Sequence, residues 1–485
     1  MSLADPPFAG LLLAGERVDG ATGARRLIMN PATGAPLAQV AQAMPADVDR
    51  AALAAQAAFT GAWGRMRPRD RAAILFELAR LIREHADELA LLESRNVGKP
   101  LAGARGEILS GATCFEYYAG AVTKFGGQTI PVSAPGTCLT FHEPLGVCAL
   151  IVPWNFPFAI TTWKVAPALA MGNTVLLKPA GDTPLTALRL GELALAAGLP
   201  PGVLNVLPGP GDALGAALVG HPLVRKVSFT GSTAVGRAVM HLAADGIKRV
   251  SLELGGKSAC IIFPDADLAA CLPSALWSVF DNAGQDCCAR SRFLVHQTIY
   301  ERVVAELATQ AQAIKVGDPL DAATEMGPLI TRRHRERVQQ YVALGEQEGA
   351  TRVCGGRIPD AAALAPGNFL SPAVFANVQN EMRLAQEEIF GPVVAVIPFA
   401  DEAEAIRLAN ATPYGLSGSL WTRDIGRALR VARAVQTGVL SINSSSSVFP
   451  EAPFGGVKQS GLGRELGMGA LEHYSEIKSV FIGEA

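Results

Sequence analysis

The chain has 485 residues, of which 49% are hydrophobic and 18% charged, and its formal net charge is −2 at pH 7. That length suggests about two to four domains at roughly 100–200 residues each. Near-neutral charge without a long acidic or basic block excludes a disordered chain, a nucleic-acid coat and a polybasic membrane binder.

Residues 47–59 and 70–92 read as amphipathic helices, the second carrying Ile74, Leu75, Leu78, Leu81 and Ile82 at helical spacing. Segment 120–141 changes character: Gly126, Gly127, Pro131, Pro135 and Gly136 surround short β-prone pieces, so a hairpin excursion is expected. A regular alternation follows. Strands are expected at 147–152, 174–177, 203–207, 227–230 and 250–254. Helices are expected at 157–171, 185–197, 212–219 and 234–244. Strands that are apolar throughout and separated by helices predict a parallel sheet covered on both faces. A second α/β unit is expected after 256, with strands at 259–263, 292–296 and 393–398 and helices at 299–313, 332–348 and 402–411. Residues 479–482 could supply a partner strand.

The uncharged run 146–163 is about as long as a membrane span. Pro153, Asn155 and Pro157 at its centre would break a helix, so it reads as a strand, a loop and a helix start. The start Met1-Ser-Leu-Ala-Asp lacks the basic opening of a secretory signal. A soluble cytoplasmic protein is expected, without membrane or nucleic acid as partner. The 8 cysteines, at 114, 138, 148, 260, 271, 287, 288 and 354, form no CxxC pair and no zinc set with histidine. They are expected to be reduced, and no metal site is expected.

Four segments could carry chemistry. Gly284-Gln285-Asp286-Cys287-Cys288 sits in a polar turn after helix-like residues 276–280. Its cysteines are either inert core residues or a nucleophile; a nucleophile needs exposure, backbone N–H groups and a nearby positive field. Pro153-Trp154-Asn155-Phe156-Pro157, at a strand end, is either a buried turn or an amide donor for an oxyanion. Glu253, in Leu252-Glu253-Leu254-Gly255-Gly256-Lys257, is either a carboxylate raised by burial and suited to general-base work, or a partner of Lys257. Phe229-Thr230-Gly231-Ser232, running on to Gly236, could seat a phosphate at a helix N-terminus, or be a plain strand–turn–helix. Gly209-Pro210-Gly211 is a weaker variant of the same idea.

Taken in order, PWNFP, KPA, FTGS, ELGGK, GQDC, EEIFGP and PFGGVKQSGLGRE resemble the aldehyde dehydrogenase superfamily, over roughly residues 30–480. The resemblance implies an NAD(P)-dependent, non-acylating enzyme of α/β class. It implies a Rossmann-like cofactor domain (1–121 and 145–255), a second α/β catalytic domain (256–458) and a small β oligomerisation excursion (122–144 and 471–485). It makes Cys287 the nucleophile, Asn155 the oxyanion donor and Glu253 the base, with Lys164 and Glu465 on a proton path. Ile151, Pro153, Trp154, Lys178, Ala180, Gly181, Gly211, Phe229, Thr230, Gly231, Ser232, Gly236, Leu254, Gly255, Glu388 and Phe390 would bind the cofactor. Lys178 takes the place that meets the adenosine ribose, and Glu388 with Phe390 the place that holds the nicotinamide riboside.

Phe156, Ile160, Trp163, Asp286, Val448, Phe449 and Phe454 would line the substrate tunnel, unless they are only core. Such a tunnel suits a neutral alkyl or aryl aldehyde. Asp286 and Glu451 keep a cationic aminoaldehyde or betaine aldehyde open. A coenzyme-A-acylating enzyme is disfavoured by Glu253, and a non-catalytic protein retaining the fold by Cys287, Asn155 and Glu253. NAD-preferring relatives commonly carry Glu three residues after the Lys of KPA. Here that position is Gly181, followed by Asp182, so NAD is expected with NADP left open. A homodimer or homotetramer is implied by the resemblance.

Overall fold

The structure, a computed structural model, describes residues 7–484. Its first sheet has eight strands, in the order Gly461–Leu462, Arg249–Glu253, Val224–Thr230, Val147–Ile151, Thr174–Lys178, Leu204–Val206, Leu11–Leu13 and Glu16–Val18. The five central strands are parallel. Each was legible as an apolar run, because both faces of a helix-covered sheet are buried. The expected helices between them are present, as Pro157–Ala170, Leu185–Ala196, Gly211–Gly220 and Thr233–Ala244. The strand order reverses beside Val147–Ile151: the chain first proceeds to Thr174–Lys178 and Leu204–Val206, then crosses to Val224–Thr230 on the other flank. A crevice opens at such a switch point, at the carboxyl ends of the strands.

The second sheet has seven strands, ordered Thr351–Cys354, Ala373–Ala376, Val393–Phe399, Arg292–His296, Ala259–Ile262, Gly418–Trp421 and Ser441–Ile442. Only the first of these pairs antiparallel. A three-stranded sheet joins Thr129–Ile130, Gly136–Pro144 and Ser475–Gly483, the last two in antiparallel register from Ser475 opposite Pro144 to Gly483 opposite Gly136. The hairpin excursion and the C-terminal partner strand therefore belong to one small sheet. A fourth sheet joins Phe8–Ala9, Pro36–Ala41 and Arg25–Met29.

Two features differ from the sequence reading. The single helix expected at 70–92 is two, Pro68–Glu84 and Ala86–Val97, which meet at His85, the residue flanking both helices. Helix Leu101–Ala121 was not foreseen, because Gly103, Gly106, Gly111 and Gly120 interrupt its pattern. Gly111 has a packing reason. A Cβ there would fall 2.6 Å from the Phe158 ring, so glycine lets this helix close on Pro157–Ala170. That contact fixes the helix carrying Ile160, Trp163 and Lys164. Among the described residues, no helix is long and apolar enough to cross a membrane.

Candidate active site

Two clefts meet at one sulfur. The first, about 210 Å³, opens at the switch point and is lined by Pro153, Trp154, Asn155, Cys287, Glu388 and Phe390 among others. The second, about 540 Å³, is lined by Phe156, Ile160, Trp163, Cys287, Val448 and Phe454 among others. Cys287 is the one residue common to both linings.

The turn that presents Cys287 is held under strain. Asn282, Ala283 and Gly284 have φ of 48°, 56° and 71°, three left-handed residues in succession. Such backbone persists only where the surroundings over-determine it. Here the Asn282 amide donates to Asn155 O at 2.9 Å, and Ile330 N donates to Gln285 Oε1 at 2.9 Å. Gly284 is required: a Cβ there would lie 2.2 Å from Gly391 O. Asn155 is buried, and its Nδ2 donates to Gln285 O at 3.0 Å, which leaves the second N–H of that amide for another acceptor. Its carbonyl is anchored by Lys99 Nζ at 3.0 Å.

The charges that act most on Cys287 are negative. The thiol is pushed well up, first by its hydrogen bond with Cys288, then by burial, then by the charges of Cys288, Asp286 and Glu253. A raised thiol is protonated at neutral pH, so the thiolate must be generated or favoured by what binds beside it.

Glu253 ends strand Arg249–Glu253 and lines neither cleft. Burial raises its carboxyl well above the usual range, and the Glu465 carboxylate raises it further, against the opposing charge of Lys164. Its Oε2 has no partner. Pairing with Lys257 does not occur; the charges around that buried lysine are Arg292, Glu388 and Glu387. A glycine of the PFGG motif, given no role in the sequence reading, makes room for this base: a Cβ on Gly455 would sit 2.6 Å from Glu253 Oε1. Behind it, Lys164 and Glu465 form a buried ion pair, with Ser228 Oγ 2.9 Å from Lys164 Nζ and 3.1 Å from Glu465 Oε1. Replacing Lys164 by Met is expected to destabilise the fold by about 3–5 kcal/mol, because it strands a buried carboxylate. The midpoint of urea unfolding measures this, and an unchanged midpoint would rule it out.

The residues named for the cofactor divide into groups. Pro153, Trp154, Thr230, Gly231, Ser232, Leu254, Gly255, Glu388 and Phe390 line the first cleft. Ser232 caps helix Thr233–Ala244, whose first N–H groups face the switch point, and the Thr230 hydroxyl is buried without a partner. Gly231 lies over the Phe229 ring, 2.5 Å from where its Cβ would be, and Gly255 meets Glu388 at 2.4 Å in the same sense. A Cβ at either would displace the Phe229 ring or the Glu388 carboxylate, so these glycines let both side chains close on the cleft. The Glu388 carboxylate is fixed by Gly256 N at 3.0 Å. Phe390, at φ 61°, stacks edge-on against Trp154 at 5.2 Å. Ile151 ends the strand beside both Phe229 and Lys178. Gly236 does not face the cleft; its missing Cβ admits Leu254, so it serves helix–strand packing.

Lys178, Ala180, Gly181 and Gly211 line neither cleft. Lys178 is lowered to about 8, first by burial and then by the charge of Arg26, with Asp212 opposing. On the substrate side Phe156, Ile160, Trp163, Asp286, Val448 and Phe454 line the second cleft. Phe449 does not. It is 50% exposed at a turn closed by Ala452 N on its carbonyl, which turns the ring outward. His334, Arg337 and Arg290 line the clefts and were not singled out in the sequence; no motif spacing marks them.

Fold and site together define an enzyme built on a dinucleotide-type sheet with a cysteine where two clefts converge. The chain belongs to the aldehyde dehydrogenase family, whose model matches residues 18–480. It is 45% identical to a betaine aldehyde dehydrogenase of Cereibacter sphaeroides, covering 98% of both chains. It is 44% identical to a phenylacetaldehyde dehydrogenase of Pseudomonas fluorescens, covering 97% of this chain and 95% of that one. It superposes on the NAD+ complex of a Bacillus cereus aldehyde dehydrogenase with a TM-score of 0.96 at 44% identity, covering 98% and 96% of the two chains.

Proposed function

We propose that the protein oxidises an aldehyde to its carboxylic acid through a thioester on Cys287, with NAD as hydride acceptor. The meeting of the two clefts at that sulfur carries the reading. The deprotonated sulfur adds to the aldehyde carbon, giving a thiohemiacetal, and the free N–H of Asn155 with the Cys287 backbone N–H steadies its oxygen. NAD, when bound, would supply the hydride acceptor that turns the thiohemiacetal into the thioester. Trp154, Glu388, Phe390 and the 230–232 turn hold it in the first cleft. Glu253, once ionised, removes a proton from water, which hydrolyses the thioester to the free acid. Lys164 and Glu465 pass that proton away. Hydrolysis by water sets this reading apart from a coenzyme-A-acylating one.

The apolar walls of the second cleft suit an alkyl or aryl chain next to the reacting carbon. Relatives at 45% and 44% identity are named for a cationic and an aromatic aldehyde, so identity alone does not select the substrate. Growth of the reduced-nicotinamide absorbance band with alkanals and benzaldehyde tests the reaction, together with chromatography of the product. A free acid formed without coenzyme A is expected; a requirement for coenzyme A would overturn the reading.

The ribose end favours dual cofactor use. A Cβ at Gly181 would lie 2.7 Å from Arg26 Nη1, so this guanidinium stands where a side chain on that residue would project. Arg26 is paired with Asp182 and lies close enough to Lys178 to affect its charge. An arginine here tolerates a 2′-phosphate. NADP is expected to support turnover alongside NAD, and Arg26→Ala to cost NADP about tenfold more in kcat/KM than NAD. Equal losses on both cofactors would refute the assignment.

We also propose the division into a cofactor unit (1–121 and 145–255), a catalytic unit (256–458) and an association unit (122–144 and 471–485), in a cytoplasmic homodimer or homotetramer. The association sheet exposes Ile477 and Phe481 on one face and Phe141 and Ile482 on the other, apolar side chains of the kind that subunits cover.

A further inference from the structure

No metal set was readable in the sequence, because the cysteines form no CxxC pair. The fold makes one locally. A turn closed by Ala289 N on Asp286 O, at 3.1 Å, puts Cys287 and Cys288 at its two central positions. In a strand, successive side chains point to opposite faces. In this turn both cysteines reach the wall of the second cleft, and the Cys288 thiol is hydrogen-bonded to that of Cys287. Asp286 lines the same wall, and its Oδ1 accepts from Cys288 N at 2.8 Å, which holds the carboxylate over the turn. The two sulfurs and a carboxylate oxygen lie within 4.8 Å of one another. Asp286 and Cys287 are half-buried and open to the cleft, and Cys288 is the buried member.

Two thiolates and one carboxylate are donors suited to a zinc-type ion. A tetrahedral site with about 2.3 Å from metal to sulfur sets two sulfurs roughly 3.8 Å apart, so the widest gap here has to close by about 1 Å. The field agrees. The charges of Cys288, Asp286 and Glu253 on the Cys287 sulfur oppose a bare thiolate and favour a cation bound to it. Arg290, the cation that acts on Asp286, is 2% exposed and donates to Cys288 O at 2.9 Å, so it does not occupy the three donors. Three protein ligands leave the fourth tetrahedral position to water.

We propose that Asp286, Cys287 and Cys288 form an inhibitory site for one thiophilic divalent cation, zinc being the type. On binding, each ligating thiol gives its proton to solvent, two metal–sulfur bonds and one metal–oxygen bond form, and no electron is transferred. The Cys287 electron pair then sits in the metal bond and cannot add to an aldehyde. This gives Cys288 a role and amends the expectation of no metal site. The site stands on geometry; its inhibitory effect rests on Cys287 as the reacting sulfur.

The test adds Zn²⁺ to the wild-type enzyme with NAD and an alkanal in chelator-free buffer. Turnover is expected to fall and to return with EDTA, while Mg²⁺ at the same concentration has no effect, since thiolates select soft ions. In Cys288→Ala and in Asp286→Asn the inhibition constant, measured against each variant's own turnover, should rise at least about tenfold, the loss that even an outer-shell partner causes. An unchanged constant in C288A would reduce the effect to a single blocked thiol and overturn the site. A second readout needs no turnover: equilibrium dialysis with Cd²⁺ should find one tightly bound ion per chain, with the ultraviolet sulfur-to-metal band of two thiolates, and both should be lost in Cys287→Ala. A band of one thiolate, or a band that survives in C287A, counts against the site. Cd²⁺ bound in this way to an enzyme that oxidised no aldehyde would retire the reaction and keep the site. Aldehyde oxidation untouched by Zn²⁺, without the two-thiolate band, would retire the site and keep the reaction.

Discussion

Replacing Cys287 by Ala is expected to lower aldehyde oxidation by at least about 10⁴-fold, because without the sulfur there is no covalent route. Cofactor binding, followed by quenching of Trp154 at the first cleft, should survive, since the cradle is built by Thr230, Gly231, Ser232 and Glu388. The raised thiol gives an independent check. Asp286, Glu253 and the Cys288 hydrogen bond all resist the thiolate, so iodoacetamide should act slowly at neutral pH. Its rate should climb about tenfold per pH unit until the thiol titrates. Rapid alkylation at pH 7 without cofactor, or retained turnover in the Ala variant, would contradict the site as drawn.

Glu253→Gln is expected to separate the two halves of the reaction. Reduced cofactor should appear in a burst of about one equivalent per site, then continue about 10²–10⁴-fold more slowly, because the thioester waits for an unactivated water. In the wild type, turnover should rise with pH as the raised carboxyl ionises.

The same shift fixes the sign of a stability change. The carboxyl binds its proton more tightly in the fold than in the unfolded chain, where its pKa is about 4.3. Its contribution is therefore full below that value and is lost as pH rises through the folded pKa. Gln has no proton to lose. The variant should match the wild type in acid and melt higher than it at alkaline pH. A variant that melts lower in alkali would mean the carboxylate was charged and well paired, contrary to its partnerless Oε2.

The alternation of the first sheet was readable because each central strand is a short apolar run framed by polar or glycine-bearing turns. The second sheet was read only in part. Thr351–Cys354, Ala373–Ala376 and Gly418–Trp421 are four residues each, too short for periodicity to separate a strand from part of a helix. Cys287, Asn155 and Glu253 stood out because they occupy polar breaks or charged positions at strand ends. Arg290 did not, since next to Ser291 and Arg292 it reads as solvated charge; only burial without partners distinguishes it. Gly455 sits in a recognised motif, but its reason appears only when the Glu253 carboxylate is brought against it. Phe449 shows the converse: though it follows a lining residue in sequence, it is half exposed and outside the lining of the second cleft.

Strand Gly461–Leu462 is laid along the base-bearing strand, and Lys164 meets a carboxylate 301 positions later. During synthesis at about 5–20 residues per second, the lysine would wait some 15–60 s for its counter-ion to leave the ribosome. Until then the nascent sheet carries an unpaired edge beside Glu253, open to strands of other chains. A polypeptide released between Cys287 and this hairpin-like return would already contain its reactive sulfur but lack the strand that flanks its base. Competence for hydrolysis thus doubles as a signature that translation passed Glu465.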